Sequence, residues 1–564
     1  MEALDWLVIG VFFLALIGII VWVVRQKQND SADYFLGGRD ATWLAIGASI
    51  FASNIGSEHL IGLAGAGASS GMAMAHWEIQ GCMILILGWV FVPFYTRSMV
   101  YTMPEFLERR YNPQSRTILS VISLVSYVLT KVAVTVYAGG LVFQQVFGIK
   151  ELWGIDFFWI AAIGLVVLTA LYTIFGGMKS VLYTSVLQTP ILLLGSLIIL
   201  VLGFKELGGW DEMMRVCGAV TVNDYGDTMT NLIRSNDDAN FPWLGALIGS
   251  AIIGFWYWCT DQFIVQRVLS GKNEMEARRG TIFGAYLKLL PVFLFLIPGM
   301  IAFALHQKYI GAGGEGFLPM LENGTANADA AFPTLVAKLL PAGVKGLVVC
   351  GILAALMSSL ASLFNSSAML FTIDFYKRFR PQTSEKKLVG IGQVATVVIV
   401  ILGILWIPIM RSVGDVLYTY LQDVQSVLAP GIAAAFLLGI CWKRTSAQGG
   451  MWGLISGMVI GLTRLGAKVY YSNAGEVADS TFKYLFYDMN WLFFCGWMFL
   501  ICIIVVIVVS LATEAPTAEK IQGLVFGTAT KEQKASTRAS WNHWDIIHTV
   551  IILAITGAFY WYFW

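Results

Sequence analysis

Apolar runs of about twenty residues recur along the whole chain, and each is long enough to cross the hydrocarbon core of a bilayer as a helix. The pattern predicts helices near 4–24, 43–69, 73–97, 116–146, 154–174, 179–203, 242–268, 279–305, 334–376, 387–410, 416–440, 446–468, 488–512 and 544–563. The reading is an all-α polytopic membrane protein with about 14 transmembrane helices. The 334–376 run exceeds one span and is expected to include a reentrant or extramembrane helical piece. No basic region precedes the first run and no small-residue cleavage site follows it, so it reads as a retained helix rather than a signal peptide.

Two spans break the apolar pattern. The segment Gly47–Gly71 carries Asn54, Ser57, Glu58 and His59 in mid-span among many Gly, Ala and Ser residues. Five helices later, Trp256-Tyr257-Trp258-Cys259-Thr260-Asp261-Gln262 again puts polarity in mid-span. Hydrocarbon tolerates such groups only where they face protein or a water-filled cavity, and ionisable ones inside a membrane are candidate functional residues by default. Paired interrupted helices at matching positions of two halves point to an inverted repeat with a binding site at the midplane. The halves share no clear residue-level identity, so this repeat rests on spacing.

Charge orients the chain. Basic residues follow the first (Arg25, Lys27, Arg39), third (Arg97, Arg109, Arg110, Arg116), seventh (Arg267, Lys272, Arg278, Arg279), ninth (Lys377, Arg378, Arg380, Lys386, Lys387) and eleventh helices (Lys443, Arg444). The loops between them, including 211–238 and 306–332, are acidic or poor in Lys and Arg. The positive-inside rule makes the first set cytoplasmic and places the N-terminus outside. An even helix count sends the C-terminus outside too, with a polar cytoplasmic linker at 513–542. The implied division is an extra helix and loop over 1–42, a first repeat over 43–203, an extracellular loop over 204–241, a second repeat over 242–440 and additional helices over 441–564.

Composition narrows the class. The chain is 57% hydrophobic and only 13% charged, where a soluble domain carries roughly 25% charged residues. A net charge of +1, segregated by loop, gives no reason to expect a nucleic-acid partner. Seven single cysteines lie mostly inside apolar runs and read as small buried hydrophobes. No Walker loop or other enzyme signature is present, which argues against an enzyme and against ATP-driven transport within this chain. The Asn323-Gly324-Thr325 sequon matters only in a glycosylating host.

Two constellations suit transport. Ala355, Ser358 and Ser359 share one helix face, so one carbonyl and two hydroxyls can converge as oxygen ligands for a hard cation, joined by freed carbonyls of Ala52 and Ile55 from a broken helix. Small residues that let helices pack closely give the same spacing, and spacing alone does not choose. The second is a polar cage: Asn54, Glu58, His59, Glu78, Lys288 and Gln422, with aromatic walls at Trp77, Tyr257, Trp258 and Tyr418. A polyhydroxylated solute needs many donors and acceptors and apolar faces for its C–H surfaces. Each member also has a structural reading. Lys288 could snorkel or pair with a carboxylate, Trp77 and Tyr418 could belong to an interfacial belt, and His59 could be a satisfied core histidine. Asn54 and Glu58 share a face of a regular helix, whereas Asn54 and His59 do not, so His59 reaches the solute only if the helix breaks, most simply at Gly56. Asp261 is a further intramembrane acid whose partner could be Lys288, Arg267 or a backbone amide.

The motifs FASNIGSEHLIGLAGAGASSG, YTMPEFLERRY, ALYTIFGGMKSVLYTSVLQT, WYWCTDQFIVQRVLS, LKLLPVFLFLIPGMI, SSLASLFNSSAMLFTIDFYK and FLLGICWKR, in this order over nearly the whole chain, resemble the sodium/solute symporter family, its sodium–glucose cotransporter branch most of all. The resemblance implies a core of two inverted five-helix repeats with broken first helices, extra helices at both ends, and sodium as coupling ion. It implies a sodium site of the Ala52, Ile55 and Ala355 carbonyls with the Ser358 and Ser359 hydroxyls. It also implies a sugar site of Asn54, His59, Glu78, Trp258, Lys288 and Gln422, an inner gate at Tyr257 and an outer gate at Trp77 and Tyr418. Ser185 and Ala361 depart from the pattern of two-sodium members and imply one coupled sodium. Gly254 stands where sugar transporters tend to have a polar side chain, so one solute hydroxyl loses a partner or gains a water. Glu58 and Trp77 look more like the sodium/myo-inositol branch. The expectation is a sodium-coupled importer of a glucose- or galactose-like monosaccharide. A myo-inositol or polyol symporter is the alternative, and an uncoupled facilitator a weaker one. The expected location is a plasma membrane, with a modest lean toward a bacterial inner membrane.

Overall fold

The computed structural model describes residues 1–26, 30–56, 58–321, 324–411, 417–473 and 478–564, and most of them are helical. Eleven helices among them are long and apolar enough to cross a membrane. This differs from the expected fourteen partly because a single 51-residue helix, Phe157–Leu207, covers two expected spans. It bends at Gly177, whose φ of +53° favours glycine. A Cβ there would also run into the Tyr34 carbonyl. The 334–376 run is likewise divided. A short helix Ala331–Leu339 ends at extended Leu340, and a second, Val344–Met369, continues into a π-helical stretch Leu370–Tyr376. The regular β-structure among the described residues is one short hairpin, Glu151–Leu152 with Ile155–Asp156.

Both expected breaks are present. Trp43–Asn54 stops where Ile55 turns extended (φ −78°, ψ 107°), and the chain resumes as a π-helical segment Glu58–Leu63 followed by Ala64–Ser70. Trp243–Phe255 runs into π-helical Trp256–Thr260 and stops at extended Asp261 (φ −76°, ψ 127°). Asp261 caps the next helix, Gln262–Leu269, by accepting from the Phe263 amide at 3.2 Å. A break in mid-membrane frees backbone groups that only protein partners or a cavity can satisfy. Each half therefore opens on a broken helix, the arrangement of the inverted-repeat core.

The packing around the breaks is close. The Ala64–Ser70 and Ile297–Gly311 helices touch backbone to backbone, since a Cβ on Gly299 would meet the Ala64 carbonyl and one on Gly67 the Leu296 carbonyl. Small residues permit such crossings in lipid, where apolar burial does not drive helices together. At one end of the bundle, buried Asp5 of the first helix accepts from the Gly343 and Gly346 amides at 2.7 and 2.8 Å, capping Val344–Met369. At the other end, Thr537 of the linker accepts from Arg97, and Arg278 pairs with Glu274 at 2.8 Å beside Ser540.

Candidate functional site

The two broken helices meet the Lys288 and Gln422 helices around one cavity. Its lining includes Asn54, Glu58, His59, Trp77, Glu78, Tyr257, Trp258, Lys288 and Gln422. Every cage residue expected from the sequence is therefore at this one place, apart from Tyr418, whose side chain lies outside the described residues, as do Ser57 and Asn323. Ile253, Gln80 and Gln425 also line it and were not expected. The cavity is small, with about 30 Å³ open to the centre of a water molecule.

The breaks explain the convergence. Because Ile55 leaves the helix and a π-helical stretch begins at Glu58, both Glu58 and His59 turn toward the cavity that Asn54 faces. A second irregularity acts on the next helix. Ala75–Glu78 ends at Ile79 (φ −82°, ψ 40°), and Gln80 (φ −95°, ψ 22°) caps the next segment, Gly81–Ile86. In a regular helix residues two apart point in different directions. The break brings Glu78 and Gln80 to the same cavity.

The polar groups are bonded to one another across the space. Lys288 Nζ donates to Glu78 Oε2 at 2.6 Å and to Asn54 Oδ1 at 3.1 Å, and lies 5.4 Å from the Trp258 ring centre. His59 Nε2 is 3.2 Å from the same Glu78 oxygen, while His59 Nδ1 has no partner among the described residues. Asn54 Nδ2 donates to Tyr257 Oη at 3.1 Å, which joins the expected inner gate directly to the cage. Gln422 Oε1 and Trp77 Nε1 are buried without partners among the described residues, and Trp77 stacks on Trp491 with ring centres 5.4 Å apart. Buried polar atoms without partners are uncommon, and here they border the cavity, where a ligand's hydroxyls can reach them.

Asp261 resolves differently from two of the expected options. Its carboxylate pairs with Lys131 Nζ at 2.6 Å and accepts from Tyr127 Oη, as well as from the Phe263 amide. Lys288 goes to Glu78 instead, and Arg267 donates to Ser53 Oγ at 3.2 Å. Lys131 also stands 4.7 Å from the Tyr257 ring centre, so the ion pair lies against the inner-gate tyrosine. A separation of 130 positions in sequence hides this pair from any local spacing argument.

Ala52, Ile55, Ala355, Ser358 and Ser359 are all buried, and the Gly56 backbone lies against Ser359. A Cβ on Gly56 would stand 3.1 Å from Ser359 Oγ. The Ile55 amide still reaches the Phe51 carbonyl, but among the described residues no donor reaches the Ala52 or Ile55 carbonyl. Two free carbonyls beside two hydroxyls form a donor set of oxygens alone, suited to a hard monovalent cation. Ser185 Oγ is 3.3 Å from Ser358 Oγ and 3.5 Å from Ser49 Oγ, so the residue that departs from the two-sodium pattern touches one of these serines.

The profile of the sodium:solute symporter family matches residues 34–457. The chain belongs to this family: it is a sodium-coupled solute symporter of the membrane, with sodium as its coupling ion. Among its relatives, sodium/myo-inositol cotransporter 2 of Homo sapiens is 36% identical over 542 residues, covering 94% of this chain and 79% of that one. The same-named protein of Mus musculus is 37% identical over 542 residues, at 94% and 80% coverage. The sodium/myo-inositol cotransporter of Homo sapiens is 36% identical over 551 residues, at 93% and 76%. A substrate-bound, outward-open Na+-coupled sialic acid symporter superposes with a TM-score of 0.72 at 22% identity, over 92% of this chain and 99% of that one, and shares the fold.

Proposed function

We propose that the chain imports a polyol of the myo-inositol class with one sodium ion per solute, by alternating access about the cavity between the broken helices. The observation that carries the reading is the mutual hydrogen bonding of Asn54, Glu78 and Lys288 within one cavity. Each of those bonds can be exchanged for a solute hydroxyl, which both donates and accepts. His59, Gln422 and Trp258 complete the cage, and Trp258 supplies a flat apolar wall. The relatives named for myo-inositol, and the presence of both Glu58 and Trp77 at the cavity, favour a polyol over the glucose-like monosaccharide expected from the motifs.

The proposed sodium ligands are the carbonyls of Ala52, Ile55 and Ala355 and the hydroxyls of Ser358 and Ser359. Ala52 and Ile55 bracket Asn54 in sequence, so an ion on their carbonyls fixes the segment that presents Asn54 and His59 to the solute. Coupling then follows from sodium favouring the solute-competent arrangement by differential affinity. One sodium moving across the membrane contributes about 2.3 kcal/mol per 100 mV. Solute release toward the cytoplasm requires Tyr257 to part from Asn54. Trp77 and Tyr418 close the outer side.

Contacts of linker residues Thr537 and Ser540 with Arg97, Arg278 and Glu274 support a cytoplasmic linker, and with it both termini outside, at the plasma membrane. The test is uptake of labelled myo-inositol, glucose, galactose and mannose into proteoliposomes, with and without an inward sodium gradient. Accumulation of myo-inositol above the external level only under the gradient supports the reading. Sodium-independent equilibration refutes it in favour of a facilitator.

A further inference from the structure

Gln80 sits in a dent that only a glycine leaves. Ser250, Gly254 and Trp258 stand at successive four-residue steps, and the Gln80 amide lies along this stripe. Its Nε2 donates to the Ser250 carbonyl at 2.8 Å, and its Oε1 accepts from Trp258 Nε1 at 3.2 Å. A Cβ on Gly254 would stand 2.7 Å from Gln80 Oε1 and 2.8 Å from its Cδ, closer than real Cβ contacts come. The two partners also fix which end of the amide is oxygen, since one is a pure acceptor and the other a pure donor. Gln80 is buried and lines the cavity. An amide carries two N–H groups and two lone pairs, so after these bonds one donor and one acceptor position are left over.

We infer that Gln80 is a specificity-determining residue of the solute cage, replacing the side chain that Gly254 lacks and setting the orientation of the Trp258 wall. The inference rests on the reading of this cavity as the solute site. A donor and an acceptor on one rigid amide suit a solute hydroxyl, or two neighbouring hydroxyls of a polyol ring. The indole N–H of Trp258 is held by Gln80, so the indole meets the solute through its face. Lys288 Nζ also stands over this ring, 5.4 Å from its centre. Gln80 thus contributes twice, by its own amide and through the ring it holds.

The test compares wild type, Gln80→Ala, Gly254→Ser and the double variant as full chains in proteoliposomes, measuring half-saturating solute, maximal rate and half-saturating sodium for myo-inositol and glucose. Gln80→Ala should raise half-saturating myo-inositol about fivefold to tenfold, the scale of one or two neutral hydrogen bonds, and leave half-saturating sodium within twofold. Gly254→Ser should displace Gln80 and shift the myo-inositol-to-glucose preference. The double variant should recover part of that loss, because the serine then enters space that Gln80 has vacated. Unchanged half-saturation for both solutes in Gln80→Ala overturns the inference and leaves the proposed function standing, as does strict additivity of the two substitutions. Wild type that takes up no polyol or monosaccharide overturns the proposed function and the inference together. Where Gly254→Ser fails to fold, the Gln80→Ala result decides alone.

Discussion

Replacing Lys288 by Met keeps an unbranched side chain one atom shorter and removes its charge and its donors. Lys288 is 3% exposed, so bulk solvent barely reaches the ammonium. Two bonds disappear, to Glu78 Oε2 at 2.6 Å and to Asn54 Oδ1 at 3.1 Å. Breaking a buried ion pair by removing one partner costs about 3–5 kcal/mol, because the remaining charge is left uncompensated. Part of that cost falls on stability, since the buried Glu78 carboxylate loses its ammonium partner. The part that falls on solute binding, about 2 kcal/mol, corresponds to a rise of about thirtyfold in half-saturating solute. The paired variant Glu78→Gln/Lys288→Met separates the two parts. It leaves no buried charge in the pair, so thermal stability in detergent should return most of the way toward wild type while solute affinity stays low. The assay is gradient-driven myo-inositol uptake alongside a melting curve of the purified protein. Half-saturation within twofold of wild type in Lys288→Met would show that the ammonium does not face the solute, and the cage would have to be redrawn without it.

Ser359→Ala should raise the half-saturating sodium concentration of uptake by tenfold or more while leaving solute binding at saturating sodium little changed, as read from sodium-activation curves in proteoliposomes. Asp329, itself outside the spanning segments, packs against Gly65, and burial pushes its carboxyl up from 3.8 to about 6. A raised acid favours the folded state when protonated. Its stabilising effect is therefore fully present below about pH 4 and is lost as pH rises through about 6. Asp329→Asn should flatten the fall in melting temperature between pH 4 and pH 6.5, measured in buffered detergent.

Much of this arrangement is legible before any coordinates. Asn54 and Glu78 stand inside apolar runs where a lone polar residue is costly, so their presence predicts a cavity, whereas the pairing of Lys288 with Glu78 is settled by the fold. The broken helices announce themselves by polarity at Asn54 and Asp261. Legibility ends where backbone irregularity or distant pairing decides. Nothing local reveals that the helix breaks at Ile79, which is what turns Gln80 inward alongside Glu78. The partner of Asp261 is Lys131 on a remote helix, and charge counting cannot prefer it to Lys288 or Arg267. Gly254 reads in the sequence as a missing ligand. In the fold its absent side chain is the reason Gln80 fits.

The central claim is that ion and solute share the segment broken after Asn54. The measurement closest to it is myo-inositol accumulation in proteoliposomes, with sodium and membrane potential set independently, for wild type and for Gly56→Ala. The substitution places a methyl 3.1 Å from Ser359 Oγ without touching the cage. The account predicts gradient-dependent accumulation in wild type, and in Gly56→Ala a weakened response to sodium together with weaker solute uptake. Accumulation that ignores sodium in wild type, or solute affinity in Gly56→Ala that is unchanged while sodium activation is lost, would contradict a shared segment.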